Sequence, residues 1–133
     1  MNETPQPFQR LAIIGLGLIG ASISHAVREH GAAETVVGYD ASADVRARAA
    51  ALGLGDIAET AAEAITGADL VILAVPVGAV GLVAEAIAPH LAAGATVSDT
   101  GSVKESILRD VAPHLPEGVH LVPSHPVAGT EFS

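Results

Sequence analysis

The chain alternates between short apolar runs and longer stretches in which apolar residues return every three or four positions. Leu11 to Ile14 and Leu70 to Val75 (LVILAV) contain no polar residue, as expected of strands buried on both faces of a parallel sheet. Thr35 to Tyr39 (TVVGY), Thr96 to Asp99 (TVSD) and Val119 to Pro123 (VHLVP) read as further strands, and Asp56 to Ala58 as a short one at best. Between them, Ile19, Ile23, Ala26 and Val27, then Val80, Val83, Ala84 and Ile87, recur at helical spacing. Punctuation agrees with this pattern. His30-Gly31 closes the first helix, and Ser42 caps a second through about Leu52, stopped by Gly53 and Gly55. Thr60 to Glu63 and Ser102 to Glu105 have capping-box spacing and predict helices to Ile65 and Ala112. Pro89-His90 and Gly94 end the long apolar helix.

At 133 residues the chain is read as one domain, residues 10–133, preceded by a polar, proline-containing tail over residues 1–9. Half of it is apolar but only 2% is aromatic, so Ala, Val, Leu and Ile must build the core. A net charge of −9, with six scattered Lys and Arg, argues against nucleic acid as a partner. With no cysteine there is no disulfide framework, and the six histidines show no H-E-x-x-H pair, so no metal site is expected. The apolar stretch from Leu11 to Val27 is broken by glycine and serine and lacks the charged flank of a secretory signal. It is read as neither a signal peptide nor a membrane span, and the protein as cytoplasmic.

The turn after the first strand carries the chemistry. Gly15, Gly17 and Gly20 give G-x-G-x-x-G spacing between a predicted strand and a predicted helix. The first glycine permits the turn, the second lets a pyrophosphate approach the backbone, and the third lets helix and strand pack closely. The helix N-terminus, with its unpaired N–H groups and partial positive charge, suits a diphosphate. Asp40 ends the second strand twenty residues beyond Gly20, where a dinucleotide site places its ribose-binding acid. A carboxylate there accepts from a ribose 2′-OH and repels a 2′-phosphate. Because Ala41, Ser42 and Ala43 include no arginine, NAD is expected rather than NADP. The whole reads as a Rossmann-type α/β fold, a doubly wound and mostly parallel sheet with helices on both faces. Candidate cofactor contacts are Gly15, Gly17, Leu18, Ile19, Gly20 and Asp40, joined by Val75, Pro76 and Thr100 at the ends of later strands.

In such a sheet the turn from Thr100 to Lys104 and the segment from Ser124 to Glu131 share the edge of the glycine turn. Pro126 biases His125 toward extended backbone, and an imidazole beside a hydride acceptor can take the proton of a substrate hydroxyl near neutral pH. For His125 and Ser102 a capping role is the alternative. Lys104 is either a solvated first-turn lysine or a counter-charge for a substrate carboxylate; both stay open.

Five segments, GLGLIGAS (15–22), GYD (38–40), AVPV (74–77), SDTGSVK (98–104) and HPVAGTE (125–131), resemble the N-terminal dinucleotide domain of the prephenate/arogenate dehydrogenase family of tyrosine biosynthesis. The glycine motif is generic; GSVK followed by HPVAGTE is specific. The resemblance implies NAD-dependent oxidative decarboxylation of prephenate or arogenate, with no preference between the two readable here. It implies that His125 bonds the ring hydroxyl and accepts its proton. Ser102 would orient that histidine and the substrate, and Thr130 and Glu131 would line the substrate entrance. It also implies a helical C-terminal domain, absent from these 133 residues, that clamps the substrate carboxylate and makes a homodimer. On that expectation the chain alone holds NAD and turns over poorly or not at all. Two other readings stand beside this one. A β-hydroxyacid dehydrogenase or imine reductase relative would share the glycine turn but not HPVAGTE, and a NAD-sensing or interaction module would lack catalysis.

Overall fold

The computed structural model describes residues 8–100 and 109–122. Within them, six strands form one sheet: β1 (Phe8–Ile14), β2 (Ala33–Tyr39), β3 (Asp56–Ile57), β4 (Leu70–Leu73), β5 (Thr96–Asp99) and β6 (His120–Val122). Their order is β3-β2-β1-β4-β5-β6, and every pairing is parallel. The helices are α1 (Leu18–His30), α2 (Ala43–Ala51), α3 (Ala61–Ile65) and α4 (Val77–Ile87). Residues 109–111 are also helical, and 3-10 turns follow at Ala88–His90 and Ala112–His114.

The unbroken apolar runs are explained by two cores, one on each side of the sheet. Along β1, Leu11 and Ile13 face a cluster that takes in Ile23 and Val27 of α1 and Val45 and Ala49 of α2. Ala12 and Ile14 face the other, built from Ala64 and Ile65 of α3, Val80, Ala84 and Ile87 of α4, and Val111. Strand order reverses beside β1, so the chain is doubly wound, and the crevice at the carboxyl ends of β1 and β4 is where such sheets take ligands. Ile13 is fully buried, and cutting it to alanine would cost about 2–5 kcal/mol.

Helix ends follow the sequence signals closely. Gly31 caps α1 in the left-handed conformation, φ 65°, with its N–H on the carbonyl of Val27. The Ser42 hydroxyl accepts from the N–H of Val45 at 3.3 Å. At α3, Thr60 accepts from the N–H of Glu63 at 3.1 Å, whereas the Glu63 carboxylate accepts from Glu59, one residue before the position a capping box uses.

Strand limits depart from the sequence expectation at several ends: β2 starts at Ala33 rather than Thr35, β3 stops at Ile57 and β6 starts at His120, and β1 and β4 differ too. β1 reaches back to Phe8, so Phe8 and Gln9 belong to the sheet rather than to a tail. The N–H of Phe8 donates to the carbonyl of Ala32, and the Asp69 carboxylate accepts from the N–H groups of Gln9 and Arg10, each at 2.9 Å. β4 stops at Leu73 instead of Val75. Ala74 still donates to the carbonyl of Ile14 at 2.7 Å, but Pro76 has no N–H to continue a ladder and α4 begins at Val77. The start of the helix expected from Ser102 lies outside the described residues.

Asp69 therefore anchors the entry of β1 across almost sixty residues of chain. Burial would raise its carboxyl, but the N–H groups of Gln9 and Arg10 outweigh burial and hold it below the ordinary 3.8. A carboxyl depressed on folding contributes stability that is complete above its unfolded value and is lost as pH falls through its folded value. Asp69→Asn should lower the thermal midpoint at pH 7 and flatten the decline in stability below about pH 4, compared with the unsubstituted chain. Thermal melts across pH 2 to 7 (about that range) measure both, and parallel curves for the two proteins would contradict the assignment.

Candidate functional site

Four strand ends converge on one edge of the sheet. The N–H of Gly15 donates to the carbonyl of Tyr39 at 2.7 Å, joining the glycine turn to the end of β2. The N–H of Thr100 donates to Leu73 at 3.2 Å, bringing the end of β5 beside that of β4. Gly15, Gly17, Leu18, Ile19, Gly20, Asp40, Val75, Pro76 and Thr100, all expected at the cofactor site, thus lie along this edge. Ser102, Lys104, His125, Thr130 and Glu131 lie outside the described residues.

The three glycines have different physical reasons to be glycine. Gly15 has φ +105°, which L side chains rarely adopt, and a Cβ there would lie 2.4 Å from the carbonyl oxygen of Ala74. Gly20 is buried, and its Cβ would lie 1.8 Å from the carbonyl oxygen of Gly15. Gly17 differs from both. It has φ −71°, and a Cβ would meet nothing within 4 Å, so the fold leaves open space in front of it. Gly17 is also the N-cap of α1, where no side chain caps the helix and no acid occupies the first turn. Ala21 is the residue whose N–H closes back on Gly17, at 2.9 Å, so the amides of the first turn before it have no intrahelical partner. A cradle of this kind fits a diphosphate, whose oxygens would take those N–H groups.

Asp40 is tied to the same turn. One carboxylate oxygen accepts from the N–H of Leu16 at 2.8 Å and the other from Ser42 at 2.9 Å. A carboxylate offers about four acceptor positions, so both oxygens keep capacity for a ribose diol. Leu16 reaches Asp40 because its buried side chain folds over β2 at Gly38, where a Cβ would lie 2.8 Å from a Leu16 methyl. Leu16 and Gly38, positions that set where Asp40 lies, were passed over by sequence reasoning, although Gly38 sits in the quoted GYD.

Another is Arg46. Its guanidinium donates from Nη1 to the carbonyl oxygens of Asp40, at 2.8 Å, and Ala41, at 3.4 Å, and lies 5.6 Å from the centre of the Tyr39 ring. Residues 41–43 include no arginine, as the sequence shows, yet Arg46 reaches the backbone of Asp40 and Ala41 from the next helix. The first turn of α2 carries position 46 back over the strand end.

Leu18 and Ile19, 85% and 49% exposed, leave apolar side chains uncovered beside the helix start. An apolar cleft of about 320 Å³ opens there between α1 and α2, lined by Leu16, Gly17, Leu18, Val45, Arg48 and Leu52. A cleft of about 400 Å³ among Arg28, Thr35 and Asp56 lies toward the opposite edge, away from every helix N-terminus of the glycine turn. Among the described residues there is no cluster of metal-ligating side chains, and no helix is long and apolar enough to cross a membrane.

Residues 23–133 match the family described as prephenate dehydrogenase, nucleotide-binding domain. This chain belongs to that family. The match begins beyond the glycine turn, which the relatives cover. A cyclohexadienyl dehydrogenase of Zymomonas mobilis is 49% identical over 125 residues, covering 93% of this chain and 42% of that protein. The crystal structure of prephenate dehydrogenase from A. aeolicus, in complex with hydroxyphenyl propionate and NAD+, superposes with a TM-score of 0.80 at 30% identity, covering 93% of this chain and 43% of that one. Synechocystis arogenate dehydrogenase superposes equally well, TM-score 0.80 at 27% identity, again over 93% and 43%. The chain thus spans about two-fifths of the length of the proteins it matches.

The glycine geometry separates folding from binding. Gly17→Ala should keep the thermal midpoint within about 2 °C of the unsubstituted chain, because nothing contacts the added methyl. Its affinity for NAD, by isothermal titration, should fall by at least about tenfold, because the methyl stands where phosphate meets backbone. Gly20→Ala should lose about 3 kcal/mol of stability or fail to fold. Equal effects from the two substitutions would contradict the division.

Proposed function

We propose that this chain is the cofactor-holding part of an NAD-dependent prephenate or arogenate dehydrogenase, an oxidoreductase of tyrosine biosynthesis. The observation that carries the reading is the joining of an open glycine cradle to an acid, Asp40, whose two oxygens are already fixed by backbone N–H groups of Leu16 and Ser42. The family match and the NAD+ bound to the A. aeolicus relative support it, as does the HPVAGTE segment.

NAD, when bound, supplies the hydride acceptor. The amides at the start of α1 hold its diphosphate, Asp40 its adenosine ribose, and Val75, Pro76 and Thr100 border the nicotinamide end. His125 accepts the proton of the ring hydroxyl as hydride leaves the same carbon, and Ser102 orients the imidazole. The ring carboxylate departs as carbon dioxide, leaving its bonding electrons in a ring that becomes aromatic. Thr130 and Glu131 line the approach of the substrate. The whole protein acts in the cytoplasm as a homodimer whose contacts come from sequence beyond the domain described.

Isothermal titration of this chain should show NAD bound at least about tenfold more tightly than NADP. In a full-length protein containing it, His125→Asn should lower kcat by about 100-fold or more while leaving the affinity for NAD within about twofold. An unchanged rate would overturn the catalytic assignment and leave a binding module.

A further inference from the structure

A cation that forms no ion pair with any described residue stands at the ribose end of the site. Arg46 is half-buried in a chain of net charge −9. Among the described residues the ion pairs are His25–Glu29 and Arg109–Asp110, and Arg46 has no carboxylate partner. Its Nη1 bonds the carbonyls of Asp40 and Ala41, while Nε and Nη2 bond no described residue. Three N–H groups of a planar fork thus bond no described residue, on a guanidinium already held by two carbonyls and by the Tyr39 ring. Such a fork recognises phosphate in bidentate fashion, and holding it in advance reduces the entropy lost on binding.

The Asp40 carboxylate beside it has the opposite preference. We propose that Arg46 is a specificity-determining residue for the ribose substituent: a prearranged partner for a 2′-phosphate that the neighbouring Asp40 carboxylate keeps out. Removing that carboxylate alone then turns the site toward NADP, with no arginine introduced. The inference rests on the NAD reading above. It goes beyond it by assigning the discrimination to a pair of residues with opposed charge rather than to Asp40 by itself. Asp44, the acid in the first turn of α2, is common to all four forms of the chain compared in the test and does not affect their comparison.

The test is isothermal titration of the chain with NAD and NADP in four forms: unsubstituted, Asp40→Ser, Asp40→Ser/Arg46→Gln and Asp40→Ser/Arg46→Lys. Asp40→Ser should weaken NAD and strengthen NADP by about tenfold each. Adding Arg46→Gln should abolish the NADP gain while leaving NAD within about twofold of Asp40→Ser. If the Gln variant fails to fold, the Lys variant decides. Loss of the fork should lower its NADP-to-NAD affinity ratio by at least about threefold relative to Asp40→Ser, and an unchanged ratio would overturn the proposal. A NADP gain that survives Arg46→Gln, or a fall in both affinities together, would also overturn it, the latter showing Arg46 to be only a backbone clamp. If the unsubstituted chain binds NAD and Asp40→Ser gains no NADP, the role of Arg46 fails alone. Binding of neither nucleotide by the unsubstituted chain would sink the NAD reading with it.

Discussion

Among the described glycines the tightest constraint is the approach of Gly20 to the carbonyl of Gly15, where an added Cβ would sit 1.8 Å from oxygen. Because nothing larger than hydrogen fits, α1 can start immediately beyond β1 and point its first amides at the sheet edge. Gly15 bends the chain at a positive φ against Ala74, so β4 takes part in the same contact. The cradle is therefore not a loop laid on a finished fold. It is where the first helix, the first strand and the fourth strand are fitted together, and its shape depends on the packing on both faces of the sheet.

Magnitudes indicate what such a cradle contributes. The dipole of an exposed helix end is worth about 0.3–1 kcal/mol toward a negative charge. Each hydrogen bond to a charged group contributes about 1.5–3 kcal/mol. Uncapped amides in front of Gly17 therefore matter more than the field of the helix, and the missing side chain at Gly17 matters because it lets a ligand reach them. At the other end of the site, Leu16 links the cradle to the ribose acid through a single N–H, made possible by the bare backbone of Gly38. The glycine cradle and Asp40, proposed to hold diphosphate and ribose, are coupled through one residue.

Much of this could be read directly from the chain. Apolar runs buried on two faces, glycines at fixed intervals and capping residues report local requirements, and β1, β2, β4, β5 and the ends of α1 and α2 lie close to where those signals put them. What escaped were ties between distant residues. The extension of β1 to Phe8 depends on Asp69, about sixty residues away, and nothing in the sequence of either segment announces it. Arg46 is only six residues from Asp40, yet its return to the strand end is a property of the helix turn between them rather than of spacing. His125, Ser102, Thr130 and Glu131 are expectations from the family resemblance and lie outside the described residues.

The central claim is that ligand recognition belongs to the edge carrying the glycine turn. Following backbone amide chemical shifts of the isotope-labelled chain during titration with NAD tests it most directly. The account predicts that the largest changes fall at Leu16 to Ala21 and at Asp40 to Ser42. Changes centred instead on Arg28, Thr35 and Asp56 at the opposite edge, with the glycine turn undisturbed, would contradict it.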